Sequence, residues 1–346
     1  LMKRRKFIKL TSTASAAGLL PIQLNTSFKF LKNFSNCDFS NRKIVLIELA
    51  GGNDGLNTLI PLDVYSDYVQ MRPTIHVPYS NTLQLNAIDS SIQGTNQDVA
   101  FHPAFSGMYN LYDHDLLHII QSVGYPSQNK SHFASIDIYN TGNDGNNWNN
   151  GQDSGWMGRF LENHFSELFP TNFPVGIQIG SPNTSLGFHG ENEHGLAMNL
   201  SGQDSENFYS ILSGLSGQYP TNFPDSHYGT ELQYIVDTDA VSNIYAQAIS
   251  DSFSNGSNFS GSNYPDNDLA DQLKTVARLI RGGIETKVYL VRLVGFDTHN
   301  NQVQGAGDLQ GRHYDLLDEL STAVEAFMND LNSDSVGDDV VGITIS

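Results

Sequence analysis

Ile44-Val45-Leu46-Ile47-Glu48-Leu49-Ala50-Gly51-Gly52-Asn53-Asp54-Gly55 is a run of strand-forming residues that breaks into a glycine-rich acidic turn. The same grammar returns at Val288 to Val294, followed by Gly295-Phe296-Asp297-Thr298-His299. In an open α/β sheet, apolar strands that end in such turns deliver polar side chains to the crevice beyond the carboxyl edge. Asp54, Asp297 and His299 are therefore expected to converge, although the two turns lie near opposite ends of the chain. Two carboxylates and an imidazole suit a divalent metal: zinc first, with manganese, or with more oxygen ligands calcium or magnesium, as alternatives. The plainer account is that aspartate in a Gly-Asn-Asp-Gly turn only supports the turn through side-chain hydrogen bonds.

Outward from these turns the chain alternates strand-like and helix-like stretches. Strands are predicted over residues 44–49, 116–123, 175–179, 288–294 and 340–345, and helices near 63–71, 104–114, 132–140, 157–165, 269–280 and 314–331. This alternation predicts an α/β fold, a doubly wound and mostly parallel sheet with helices on both faces. The last helix is the clearest, because Leu316, Leu317, Leu320, Val324, Phe327, Met328 and Leu331 recur at three- and four-residue spacing and form one apolar stripe. Two polar stretches interrupt the pattern, 142–155 and an insertion over about 201–268 that carries a helix near 237–250. Residues 340–345 read as a core strand that runs directly to Ser346, so the chain is expected to be cut short of its natural terminus.

Residues 1–25 have the layout of an export signal: Lys3-Arg4-Arg5-Lys6-Phe7-Ile8-Lys9, then a small, mildly apolar stretch from Leu10 to Leu20. The Arg pair followed by Phe-Ile-Lys matches the twin-arginine variety, which implies the twin-arginine export machinery as a partner and a periplasmic or cell-surface location. A general secretory signal or an uncleaved anchor are the other options. The apolar stretch is too short and polar for a spanning helix of roughly 20 residues, and no later segment reads as transmembrane. Residues 26–43 form a tether, and 44–346 a single α/β domain. Past the leader, residues 44–346 carry 9 Lys and Arg against 36 Asp and Glu, a balance of −27. Such a surface repels nucleic acid and anionic lipid, and an anionic substrate would need bound cations to offset the field. Cys37, the single cysteine, excludes an intrachain disulfide and a cysteine zinc site.

Gly124-Tyr125-Pro126-Ser127-Gln128-Asn129-Lys130-Ser131-His132-Phe133 follows one predicted strand and opens a predicted helix. Ser131 is then either an N-cap or a nucleophile whose alkoxide is stabilised by the helix N-terminus. His132 reads as a base, a ligand or a surface residue. His102, His189, His194 and His313 are isolated and are expected to be structural, with His189 and His194 the readier exceptions because they sit in a polar loop. No Gly-x-Ser-x-Gly elbow, Walker loop or Gly-x-Gly-x-x-Gly fingerprint is present.

The leader, Ala50-Gly51-Gly52-Asn53-Asp54-Gly55-Leu56-Asn57-Thr58, Phe101-His102-Pro103, Lys130-Ser131-His132-Phe133, Gly155-Trp156-Met157-Gly158-Arg159 and Gly295-Phe296-Asp297-Thr298-His299 occur in this order. Together they resemble the exported bacterial proteins of domain-of-unknown-function family 1501, over nearly all of residues 44–346. That family looks like a branch of the alkaline phosphatase and sulfatase superfamily. The resemblance implies a metal ligand at Asp54, a nucleophile at Ser131 and a ligand pair at Asp297 and His299. Lys130 stands where the family more often has Arg, which weakens bidentate anion recognition. The family continues past the final strand into a Ser-Glu-Phe-Gly-Arg-like motif and an Asp-His pair, which this sequence lacks.

Two functions from different classes follow. One is an exported hydrolase of a small-molecule or polysaccharide phosphate or sulfate ester, with Ser131, Lys130 and His132 as catalytic candidates at a two-metal site. The other is a non-catalytic exported binding or assembly protein on the same fold.

Overall fold

A computed structural model describes residues 41–85, 98–121, 123–125, 128–143, 154–168, 170–180, 186–191, 197–200, 222–305, 307–334 and 336–346. The leader, Cys37, His194, most of the 142–155 stretch and residues 201–221 of the insertion lie outside them. In chain order the elements are β1 (Lys43–Ala50), α1 (Gly55–Thr58), β2 (Leu59–Pro61), α2 (Tyr65–Met71), β3 (Leu83–Gln84), β4 (Val99–Phe101), α3 (Ser106–Asp113), α4 (His132–Thr141), α5 (Trp156–His164), β5 (Gly176–Ile179), β6 (Ala197–Leu200), α6 (His227–Asn255), α7 (Asp268–Arg281), β7 (Val288–Val294), α8 (Arg312–Asn332) and β8 (Val340–Ile345). Among the described residues they form two compact units, one of Asn41 with Gly55–Pro103, the other of Arg42–Asp54 with Ala104–Ser346. Residues 55–103 thus make a unit of their own within the stretch that the sequence reads as one domain.

The larger unit is mixed α/β. Its five strands run in the order β6-β5-β7-β1-β8, every neighbouring pair parallel. β1 and β7 pair from Ile44 beside Val288 to Ala50 beside Val294, so their two turns leave the sheet side by side. Val45, Leu46, Ile47 and Leu49 of β1 and Val288 to Leu293 of β7 are buried. Both faces of these strands are therefore covered, which is why they read as near-continuous apolar runs instead of alternating ones. On one face, Met157, Leu161 and Phe165 pack with Val175 and Phe188 against Leu46, Val288 and Leu290.

α7 packs against β7 and against α8. Asn267 caps it, its side-chain oxygen accepting from the Ala270 amide at 2.8 Å. Asp268 and Asp271 in the first turn and Arg278 and Arg281 in the last complement the helix dipole. Its Gln272 amide bonds both ways to the Arg292 backbone, at 2.9 Å each, just past the point where β5 stops pairing with β7. A side chain there takes over the ladder from the shorter strand.

Two predicted elements differ. Residues 116–121 and 123–125 form no strand; Ile120 is 75% exposed and Val123 79%. Strand propensity is realised only against a partner ladder, and among the described residues none pairs with this segment. Inside the polar insertion, α6 is 29 residues long, twice the predicted helix, started by Ser226 accepting from the Gly229 amide at 3.2 Å. The insertion is thus largely helical where it is described.

The smaller unit carries an antiparallel sheet in the order β2-β4-β3. The Tyr68 hydroxyl donates to Asn57 Oδ1 and accepts from the Val77 amide, both at 2.8 Å, and Asn57 Nδ2 donates to the Ile75 carbonyl at 2.7 Å. Ile60, Val77, Ala100 and Phe101 are buried beside this network, as is His102, whose backbone N–H donates to the Thr58 carbonyl.

Candidate functional site

The site begins with two glycines. Gly51 and Gly52 have φ of +112° and +85°, the left-handed region that side chains disfavour. A Cβ on Gly51 would lie 2.4 Å from the Asp297 backbone nitrogen, so the first turn rests directly on the second. The Phe296 amide completes the contact by donating to the Ala50 carbonyl at 3.1 Å. A Cβ on Gly52 would stand 3.2 Å from His132 Cε1, so this glycine leaves room for an imidazole. α4 reaches this edge in company with β1: burial, then the Glu48 charge, push the Tyr139 phenol well above its ordinary value. Glu48 in turn pairs with Arg292 at 2.9 Å, its partner in register on β7.

Three ligand-type side chains meet over the turns. Asp297 Oδ1 lies 2.8 Å from His299 Nε2 and 3.3 Å from His132 Nε2. The side chains of Asp297, His132 and His299 are 47%, 49% and 77% exposed, open to an ion from solvent. His299 has φ +44°, uncommon outside glycine. Asp54 is held separately, its Oδ2 accepting from Gln302 Nε2 at 2.5 Å. Among the described residues, no three of Asp54, His132, Asp297 and His299 offer ligand atoms all within 4.8 Å of one another. Asp297 and His299 therefore lie side by side, His132 joins them, and Asp54 stands on the neighbouring turn with a different partner.

Ser131 is the N-cap of α4: its Oγ accepts from the Ala134 amide at 3.5 Å, and its own amide donates to Asn129 Oδ1 at 2.8 Å. Its side chain and that of Lys130 are exposed. His189 lies half-buried, its carbonyl accepting from the Gly155 amide at 2.8 Å.

Behind the turns lies a layer that the sequence does not single out. Asp308 Oδ2 is 2.6 Å from His313 Nδ1, both residues buried, and His313 Nε2 is 3.0 Å from Asn53 Oδ1. The Asn53 amide donates to Ser346 Oγ at 2.7 Å. Gln302, Asp308 and His313 all belong to the connection from Asp297 into α8. The available signal was their closeness in sequence to Asp297, an excess of polar groups in a short loop that must cross a buried sheet edge. No family model, curated protein or solved structure matches the chain.

Proposed function

We propose that the chain is an exported, divalent-metal-dependent hydrolase of a phosphate or sulfate ester, acting through Ser131. The carrying observation is the grouping of His132, Asp297 and His299 beside the Asp54 turn, at the carboxyl edge of two parallel strands. Carboxylate oxygen and imidazole nitrogen suit zinc or manganese, and the exposed side chains give an ion access, so donor chemistry and access both fit. Asp54, Asp297 and His299, with His132 beside them, would hold the metal. Bound there, it would supply Lewis-acid polarisation of the ester oxygens and offset the negative field of the chain. Ser131 Oγ forms the bond to phosphorus or sulfur as the ester oxygen leaves, and the serine proton ends on the departing alcohol. Water then cleaves the serine ester, releasing the inorganic anion and restoring the hydroxyl. The α4 amides and the Lys130 ammonium would hold the anion near the serine. The order of motifs that resembles domain-of-unknown-function family 1501 favours the same reading.

The capping role of Ser131 favours a second reading, an exported binding or assembly protein that retains the fold without turnover. Elemental mass spectrometry of the protein exported in its own host separates the two. One or two equivalents of transition metal, lost in Asp297→Ala, together with ester turnover lost in Ser131→Ala, is the expected result. A metal-free, folded protein would overturn the hydrolase, and a Ser131→Ala variant with full turnover would remove the nucleophile.

A further inference from the structure

We infer that Asp308 and His313 are buried positioning residues, which with Gln302 clamp the Asn53–Asp54 turn in place for a divalent cation. The inference rests on the metal reading above and extends it to the buried residues behind the two turns.

Asp308 and His313 are essentially inaccessible, at 0% and 1% exposure. A carboxylate 2.6 Å from Nδ1 fixes the ring orientation, because Nδ1–H must point at Oδ2. Nε2 is thereby aimed at Asn53, 3.0 Å from its side-chain oxygen. A cationic ring donates to that oxygen; a neutral ring accepts from the amide nitrogen of the same side chain once it is turned over. Either way the imidazole holds the Asn53 side chain. One residue later, Gln302 Nε2 donates to Oδ2 of Asp54.

The clamp is one piece. The His313 amide donates to the Gln302 carbonyl at 3.2 Å, and the Gln304 amide to the Gln310 carbonyl at 2.7 Å, folding the 302–313 loop back on itself. That loop starts at Asp297, so the segment that carries one candidate ligand also fixes the turn that carries the other. Burying a carboxylate and an imidazole costs free energy unless they satisfy each other, and a core built only for packing would use apolar residues there. Outer-layer partners of this kind orient metal ligands, and their loss typically lowers metal affinity about 10- to 100-fold.

The test is cobalt(II) titration of the full chain, following the visible d–d absorption, for wild type, Asp297→Ala, Asp308→Asn, His313→Gln and Asn53→Ala. Asn53→Ala removes only the half-buried end of the clamp and leaves the Asp308–His313 pair in place, which keeps the test decisive if the two buried variants fail to fold. The expected result is abolished binding in Asp297→Ala, and about 10- to 100-fold weaker binding with an altered d–d band in the clamp variants. Wild-type affinity and spectrum in folded Asn53→Ala, with Asp297→Ala still dead, would overturn the clamp while leaving the metal reading standing. Failure of the wild type to bind cobalt would overturn both.

Discussion

Gly51 is the residue on which the two turns depend. Its φ of +112° is strained for any L side chain, and a Cβ there would meet the Asp297 backbone nitrogen at 2.4 Å and its Cβ at 3.0 Å. Gly51→Ala is therefore expected to destabilise the fold by about 2 kcal/mol through strain and forced backbone shift, and to separate Asp54 from Asp297. Gly55→Ala is the control, because a Cβ there meets nothing within 4 Å. Denaturant melts of the two variants, with cobalt binding alongside, check this; equal stability of both would show that the turns are not packed as described. The contrast also marks how much of the site is legible in the sequence. Asp54, Asp297 and His299 could be placed because strand ends are readable and the side chains follow within a few residues. His132 could not, because its approach to Gly52 and Asp297 is made only by the folded chain. Asp308 and His313 look like ordinary loop and helix-start residues until the loop closes and buries them.

Among the elements, α7 and α8 are joined at Asp330. Fully buried, this aspartate accepts from Asn258 Nδ2 at 2.8 Å, the Phe259 amide at 2.9 Å and the Tyr264 hydroxyl at 2.9 Å, and pairs with Arg281. Burial pushes its carboxyl up, but the Phe259 amide with Arg281, Asn258 and Tyr264 outweighs burial and holds it below the ordinary value. A carboxylate whose folded value lies below its unfolded value of about 3.9 stabilises the fold above that pH and loses the contribution as pH falls toward the folded value. Asp330→Asn should cost about 3 kcal/mol at pH 7, where it breaks a buried pair, and should flatten the fall in stability below about pH 4. Urea midpoints at pH 7, 5 and 3.5 test this; an unchanged acid slope would show that other carboxylates control it. Helices of this kind were readable because Leu273, Val276, Ala277 and Ile280 repeat the helical period on a buried face. Residues 116–123 misled for the opposite reason, since their apolar composition resembles a strand while pairing, which composition does not encode, decides whether one forms. The first half of α6 was hidden by Tyr, Ile, Val and Thr, which weaken helix propensity without preventing a capped helix.

At the scale of the whole molecule, the acidic balance and the candidate site make separable demands on cations. Residues 44–346 carry 36 Asp and Glu against 9 Lys and Arg, so the folded chain repels itself. Any salt relieves this by screening, over a Debye length that shrinks to about 8 Å at physiological ionic strength. A cation bound at Asp297 adds a different contribution, which depends on its dissociation constant and reaches about 2.7 kcal/mol at 100-fold excess over it. For a unit of this size that corresponds to a rise of about 5–10 °C in Tm. Thermal melts over a sodium chloride series, and at one fixed ionic strength with micromolar zinc or manganese added, separate the two. The wild type should melt higher with the transition metal and return to its starting Tm with a chelator. Asp297→Ala should keep the response to sodium chloride and lose the response to the metal. If the variant retains both, the cations are neutralising a diffuse acidic surface and the turns of β1 and β7 hold no ion. If the wild type responds only to sodium chloride, the acidity serves solubility alone and the binding-protein reading gains.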